Sequence, residues 1–198
     1  MWATDAPGRR RAQRGVAAVE FAMTVIVFIT LLFVVIEAAR ALYLIATVQE
    51  ATRRAAYAAA VSDFSDPAVM AEVRQAAVLR DTPGTLLLGA PVSDAHIRVD
   101  YLSLARNGSG ALTMTPITAA DMPACPARAR VNCVANPNGA SCIRLVRARL
   151  CAPGGGDCDP VPYQPMLPLS GLGFTLPAAA TVAKAESLGY VPGSALCP

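Results

Sequence analysis

Residues 16–36 read VAAVEFAMTVIVFITLLFVVI, and this stretch governs how the rest of the chain is to be understood. From Phe21 to Ile36 it contains no charge, no Gly and no Pro. As a helix rising about 1.5 Å per residue, it spans roughly 30 Å, the thickness of a bilayer core. A helix of this length in a soluble protein would show a polar stripe, and this one has none. The segment is read as a single membrane span.

Its flanks give a direction. Arg9, Arg10, Arg11 and Arg14 precede it, and a basic cluster directly before an apolar run marks the cytoplasmic side. All six cysteines, Cys125, Cys133, Cys142, Cys151, Cys158 and Cys197, lie beyond it. An even number confined to one side suggests disulfides in an oxidising compartment. Both signals place the N-terminus inside and the C-terminal part in the periplasm or outside the cell, with the span in the inner (cytoplasmic) membrane. The formal net charge of +3, much of it in the leader, makes no case for nucleic-acid binding.

A cleavable secretory signal is the rival reading, and Ala38-Ala39 resembles its cleavage site. Yet the chain continues past it in helical pattern, with no breaker until Ser62. Glu37 and Arg40 stand at i,i+3, and Glu50 and Arg54 at i,i+4. Ala51, Ala55 and Ala59 form a small-residue ladder that would admit a second helix, and Ile36, Tyr43 and Tyr57 recur at heptad spacing. One helix is expected from Val16 to Val61.

Glu20 is the anomaly, a carboxylate near the start of an apolar run. Snorkelling to the interface is one explanation. The other uses Gly15: cleavage after it would create an α-amino group at Val16, which Glu20 of a neighbouring subunit could neutralise.

The blocks Arg14-Gly15…Val19-Glu20-Phe21-Ala22, Glu37-Ala-Ala-Arg40-Ala-Leu-Tyr43 and Val48-Gln49-Glu50-Ala51-Thr-Arg53-Arg54-Ala55-Ala56 together resemble the TadE-like family. The resemblance implies a minor pseudopilin of a Tad/Flp tight-adherence pilus, cut by a prepilin peptidase on the cytoplasmic face. Gly15 would precede the cut, Val16 would become the N-terminus, and Glu20-Phe21 would carry the pilin-type glutamate. Implied partners are the lipid bilayer, the peptidase, other pilins or pseudopilins and the assembly platform. Two features depart from the pattern. Many members carry a Pro early in the apolar run, where this chain has Met23-Thr24-Val25-Ile26. The major pilin of such systems usually shows Glu-Tyr and has a far smaller exported part.

The chain thus divides into a basic leader (1–15), a transmembrane and stalk helix (16–61) and an exported domain (62–198). In the last, Asp66 is a good N-cap with Pro67 at the first helical position. The helix it opens would bury Val69, Val73, Ala76 and Ala77 and stop near Asp81–Gly84. Ile97, Val99 and Tyr101 alternate with Arg98 and Asp100 as a strand, Arg106–Gly110 is a turn, and Leu112 and Met114 pair back. A Cys- and Pro-rich loop (121–141), a strand near Cys142–Cys151, a Gly-rich turn, a short stretch at Val161–Leu167 and a strand near Phe174–Ala185 complete an α+β, pilin-like architecture with a small antiparallel sheet. Cys151 and Cys158 would close a short loop, and the other four cysteines would supply two further bridges of open pairing. Zinc is disfavoured, since there is no Cys-x2-Cys pair and His96 is the only histidine.

Nothing points to catalysis. His96 heads a strand, Leu169–Gly173 is not a nucleophile elbow, Gly154–Gly156 lacks the rest of a phosphate loop, and Asp157 with Asp159 are too few for calcium. No cofactor is expected. The alternative to a pilus component is a membrane-anchored binding or adhesion domain without pilin-type processing.

Overall fold

The computed structural model describes residues 14–154, 158–166 and 173–197. Two compact units divide the chain, Met1–Leu42 and Tyr43–Pro198. Helix α1 (Arg14–Val61) makes up the described part of the first and opens the second. It begins within two residues of the expected start and ends at the expected Val61.

In the first unit every side chain from Gly15 to Ile36 is exposed. That is the condition of a surface made for lipid. The two threonines in the run satisfy their hydroxyls locally: Thr24 Oγ1 donates to the Glu20 carbonyl at 2.9 Å and Thr30 Oγ1 to that of Ile26 at 2.8 Å. Such i−4 bonds let a hydroxyl sit in hydrocarbon without an outside partner. Glu37 and Arg40 form the expected ion pair at 3.4 Å.

In the second unit the same helix buries a stripe. Leu44, Val48, Ala51, Ala55 and Ala59 are buried, with Thr52, Ala56 and Ala60 alongside. The stripe faces the unit's own sheet: Thr52 Oγ1 lies 3.2 Å from Thr181 Oγ1. The alanine ladder is therefore occupied within the chain and does not await a second helix. Small residues serve here because they let a helix approach a pleated surface closely. Ile36, Tyr43 and Tyr57, the heptad series, stay exposed. Tyr43 instead donates its hydroxyl to the Leu87 carbonyl at 3.0 Å.

The last carbonyls of α1 are satisfied from far along the chain. Ala60 O accepts the amides of Glu186 and Leu188, and Val61 O accepts that of Gly189. Gly189 has φ +80°, and a Cβ there would come within 2.5 Å of Asp63 backbone atoms. Only glycine fits this close approach.

Helix α2 (Pro67–Ala77) starts as expected, with Asp66 Oδ1 accepting from the amides of Ala68 and Val69. It ends before Asp81, because Leu79 adopts φ +60°. Its buried residues are Met70, Val73 and Ala77, so Met70 takes the place assigned to Val69 and Ala76. Tyr101 explains the shift: its hydroxyl reaches Met70 Sδ at 3.4 Å, and its ring meets Phe64 at 5.4 Å.

The sheet is fully antiparallel with order β2-β1-β3-β4, formed by β1 (Ile97–Arg106), β2 (Leu112–Pro116), β3 (Leu145–Leu150) and β4 (Ala180–Lys184). β1 and β2 make the expected hairpin, with Gly110 at φ +83° in its turn. β2 is wholly exposed, so Leu112 and Met114 pair without entering the core. The last strand is shorter than expected. Phe174 stacks on Tyr163 at 4.4 Å, beside an isolated bridge between Pro162 and Thr175. Helix α3 (Pro126–Ala135) occupies what was expected to be loop. Its flanking prolines and weak amphipathic pattern hid it, and covalent bonds hold it in place: Cys125–Cys197 at its start and Cys133–Cys142 near its end. Cys151–Cys158 closes the short loop suggested by its spacing. The architecture is α+β, with a long apolar N-terminal helix, a small four-stranded sheet and three disulfides.

Candidate functional site

The residues singled out for processing lie at the start of α1. Gly15 is its second residue, and a Cβ added there would meet nothing within 4 Å. Val16 and Phe21 are 58% and 72% exposed. Val16 and Glu20 stand four residues apart and so share a helix face one turn apart. The Glu20 carbonyl is engaged by Thr24, but among the described residues its carboxylate has no partner. A bare carboxylate at the centre of a membrane helix costs about 2.5–3.5 kcal/mol on insertion scales, less near the interface. The described chain does not compensate it. Arg9, Arg10 and Arg11 and the side chain of Arg14 lie outside the described residues.

The stalk part of α1 carries a second charged site. Glu50 accepts from Arg53 and Arg54, each at 2.8 Å, so both following arginines share one carboxylate. The sequence showed the i,i+4 member of this trio.

The candidates for chemistry are placed as follows. His96 ends a single 3-10 turn (Asp94–His96) before β1. Its Nδ1 accepts the Ser93 amide at 3.1 Å and lies 2.9 Å from Ser93 Oγ. Accepting an amide proton requires that nitrogen to be unprotonated, and burial pushes the imidazole below its ordinary pKa. The pair is a helix-end cap, and the Ser-x-x-His spacing was its signal in the sequence. Tyr101, buried between α2 and the sheet, has its hydroxyl pushed well above its ordinary value by that burial. Asp159 is described, whereas Asp157, Gly155, Gly156 and the stretch 167–172 lie outside the described residues, so those readings stay expectations. All six cysteines are in disulfides and none is left as a thiol ligand.

One charged cluster escaped sequence reading. Asp100 in β1 accepts from Arg98 at 3.2 Å, Arg147 at 3.1 Å and Arg149 at 2.7 Å. The alternation of Arg147-Ala148-Arg149 with Arg98-Val99-Asp100 was visible, but only the β1–β3 register brings the two together.

These features define a class: among the described residues a single apolar helix fit for a one-pass membrane anchor, continuing into a disulfide-stapled α+β unit. Within it, residues 15–56 match the family of TadE-like proteins, in agreement with the resemblance read from the residues. The match begins at Gly15 and ends inside α1. No curated protein and no solved structure matches the chain.

Proposed function

We propose that this protein is a minor pseudopilin of a Tad/Flp-type pilus, processed by a prepilin peptidase after Gly15. One observation carries the reading: the TadE-like match starts at the glycine that would precede the cut, at the head of a fully exposed apolar run whose Glu20 carboxylate has no partner among the described residues. After the cut, the α-amino group of Val16 is a cation at the head of that helix. Glu20 of an adjacent subunit neutralises it, and the pair offsets the cost of a carboxylate in lipid. The helix sits in the cytoplasmic membrane with the leader inside, and the Tyr43–Pro198 unit faces the periplasm or exterior, where its disulfides persist. Partners are the peptidase, other pilins or pseudopilins and the assembly platform. The role is structural rather than enzymatic.

The test is intact mass and N-terminal sequence of the membrane-extracted protein, with and without a co-expressed prepilin peptidase. The expected result is a chain starting at Val16 only when the peptidase is present, and no processing of Gly15→Leu. Because a Cβ at Gly15 meets nothing within 4 Å among the described residues, that variant reports on the peptidase and not on folding. An unprocessed wild-type chain would favour a plain membrane-anchored binding domain. A start near Ala39 would mean an ordinary signal peptide.

A further inference from the structure

The two faces of the sheet differ sharply in charge. One is covered by helices, as Thr181 meets Thr52 of α1 and Tyr101 meets Met70 of α2. Side chains alternate across a strand, so the register assigns the opposite face to Arg98, Arg106, Arg147, Arg149 and Lys184. Asp100 is the one acid among them, and three of the arginines already share it. The face therefore keeps a net charge of +4 from five cations and one anion. Arg98 is 42% exposed, and Met114 and Val182 on the same face are 59% and 43% exposed. Arginine and methionine beside open apolar surface is a composition enriched in protein interfaces.

The complement lies on the same chain. Between Ser62 and Ala95 stand Asp63, Asp66, Glu72, Asp81 and Asp94, against Arg74 and Arg80 alone, a net charge of −3. This segment packs on the helix-covered side of the sheet through Phe64 and through Met70 of α2. Leu79 and Leu87, in the loop after α2, are 63% and 70% exposed. The cationic face and α2 thus lie on opposite faces of the sheet, adjoining at one edge where Arg74 and Arg98 line the same pocket, and each has apolar surface to bury.

We infer that the cationic face of the sheet docks on the acidic 62–95 segment of a second copy of this chain. Because the two surfaces differ, the contact is heterologous, joining copies head to tail, and such contacts propagate as open chains or close into rings. The inference concerns the Tyr43–Pro198 unit alone. It holds whether or not Gly15 is cut, so its failure and the failure of the processing reading are separate results.

The experiment is a charge swap in the full-length protein, in detergent micelles, with association followed by sedimentation velocity at low and high salt. Arg106→Glu/Lys184→Glu reverses the rim of the cationic face without touching the arginines that hold Asp100. Glu72→Lys/Asp81→Lys reverses the acidic segment and avoids the helix cap. Circular dichroism and thermal melting check that both variants fold. The wild type is expected to self-associate more weakly as salt rises, and each variant alone to lose roughly tenfold or more in affinity. An equimolar mixture of the two variants should regain association as pairs, since the unaltered acidic segment of one then meets the unaltered cationic face of the other. Association that ignores both salt and substitution overturns the inference and assigns self-contact to the apolar helix. A mixture that stays dissociated overturns it too. So does a loss confined to the cationic-face variant, which would leave an acidic partner other than this chain on the sheet.

Discussion

Helix α1 contains two halves that use the same backbone for opposite ends. From Gly15 to Ile36 every residue is exposed, and its threonine hydroxyls bond back to their own helix. From Leu44 to Ala60 one face is sealed against the sheet, and the final carbonyls are capped by residues 186–189. The first half fits a membrane span, where a bilayer would offer no competitor for its internal hydrogen bonds. The second is an alanine-rich segment in water, where helical structure depends on tertiary packing. Apolar content marks the first half, whereas the second is defined by what lies more than a hundred residues away.

The two halves of α1 diverge most under reduction. In the loop-closure account, Cys125–Cys197, with a sequence separation of 72, contributes about 4 kcal/mol. The two short bridges, with separations of 9 and 7, contribute about 2.5 kcal/mol each. Together they rival the whole stability of a small domain, about 5–15 kcal/mol. Reduction in micelles is expected to abolish the thermal transition of the Tyr43–Pro198 unit while far-ultraviolet circular dichroism retains the helix of residues 15–36. If the sheet survives reduction, the second half owes its order to packing alone.

A smaller effect comes from overfilling the buried stripe. Ala55 and Ala59 are both fully buried, so Ala55→Leu/Ala59→Leu drives two isobutyl groups into a closed interface. The expected loss is about 4 kcal/mol in a melting or denaturant experiment, against no change for Val27→Leu, which is 60% exposed in the apolar half. Equal tolerance at both sites would mean that the stripe is an open surface awaiting another helix. Gly189→Ala should cost about 2 kcal/mol, because the new Cβ meets the Asp63 backbone and φ +80° disfavours a side chain. A neutral Gly189→Ala would show that the cap of α1 is loose.

These contrasts also show where sequence reading stops. The span, the break after Val61, the Asp66 cap and the β1–β2 hairpin each depend on residues within a few positions of one another, and periodicity or turn chemistry reveals them. The partner of the alanine ladder, the cap from residues 186–189 and the three arginines on Asp100 are long-range, and no local pattern encodes them. Helix α3 failed for a further reason: few of its positions are buried and covalent bonds define its ends, so it lacks the amphipathic period by which a helix is recognised. The motif of Gly15, Val16, Glu20 and Phe21 was visible in the sequence because it is contiguous, and the TadE-like match covers it. The cationic sheet face was not, because it is assembled by register.

The finest test of the comparison uses the same residue in both halves. Thr52 Oγ1 donates to the Gln49 carbonyl and lies within hydrogen-bond distance of Thr181 Oγ1, across the helix–sheet interface. Thr24 Oγ1 reaches only the Glu20 carbonyl of its own helix. Valine is nearly the same shape in each case, so Thr→Val removes the hydroxyl and little else. Thr52→Val strands the Thr181 hydroxyl in a part-buried position and should cost about 1 kcal/mol of unfolding free energy. Thr24→Val removes a donor that serves no other element, and should leave both membrane insertion and the melting of the Tyr43–Pro198 unit unchanged. Equal costs would mean that the apolar half has a tertiary partner of its own. A cost at Thr24 alone would reverse the assignment of which half is packed and which faces lipid.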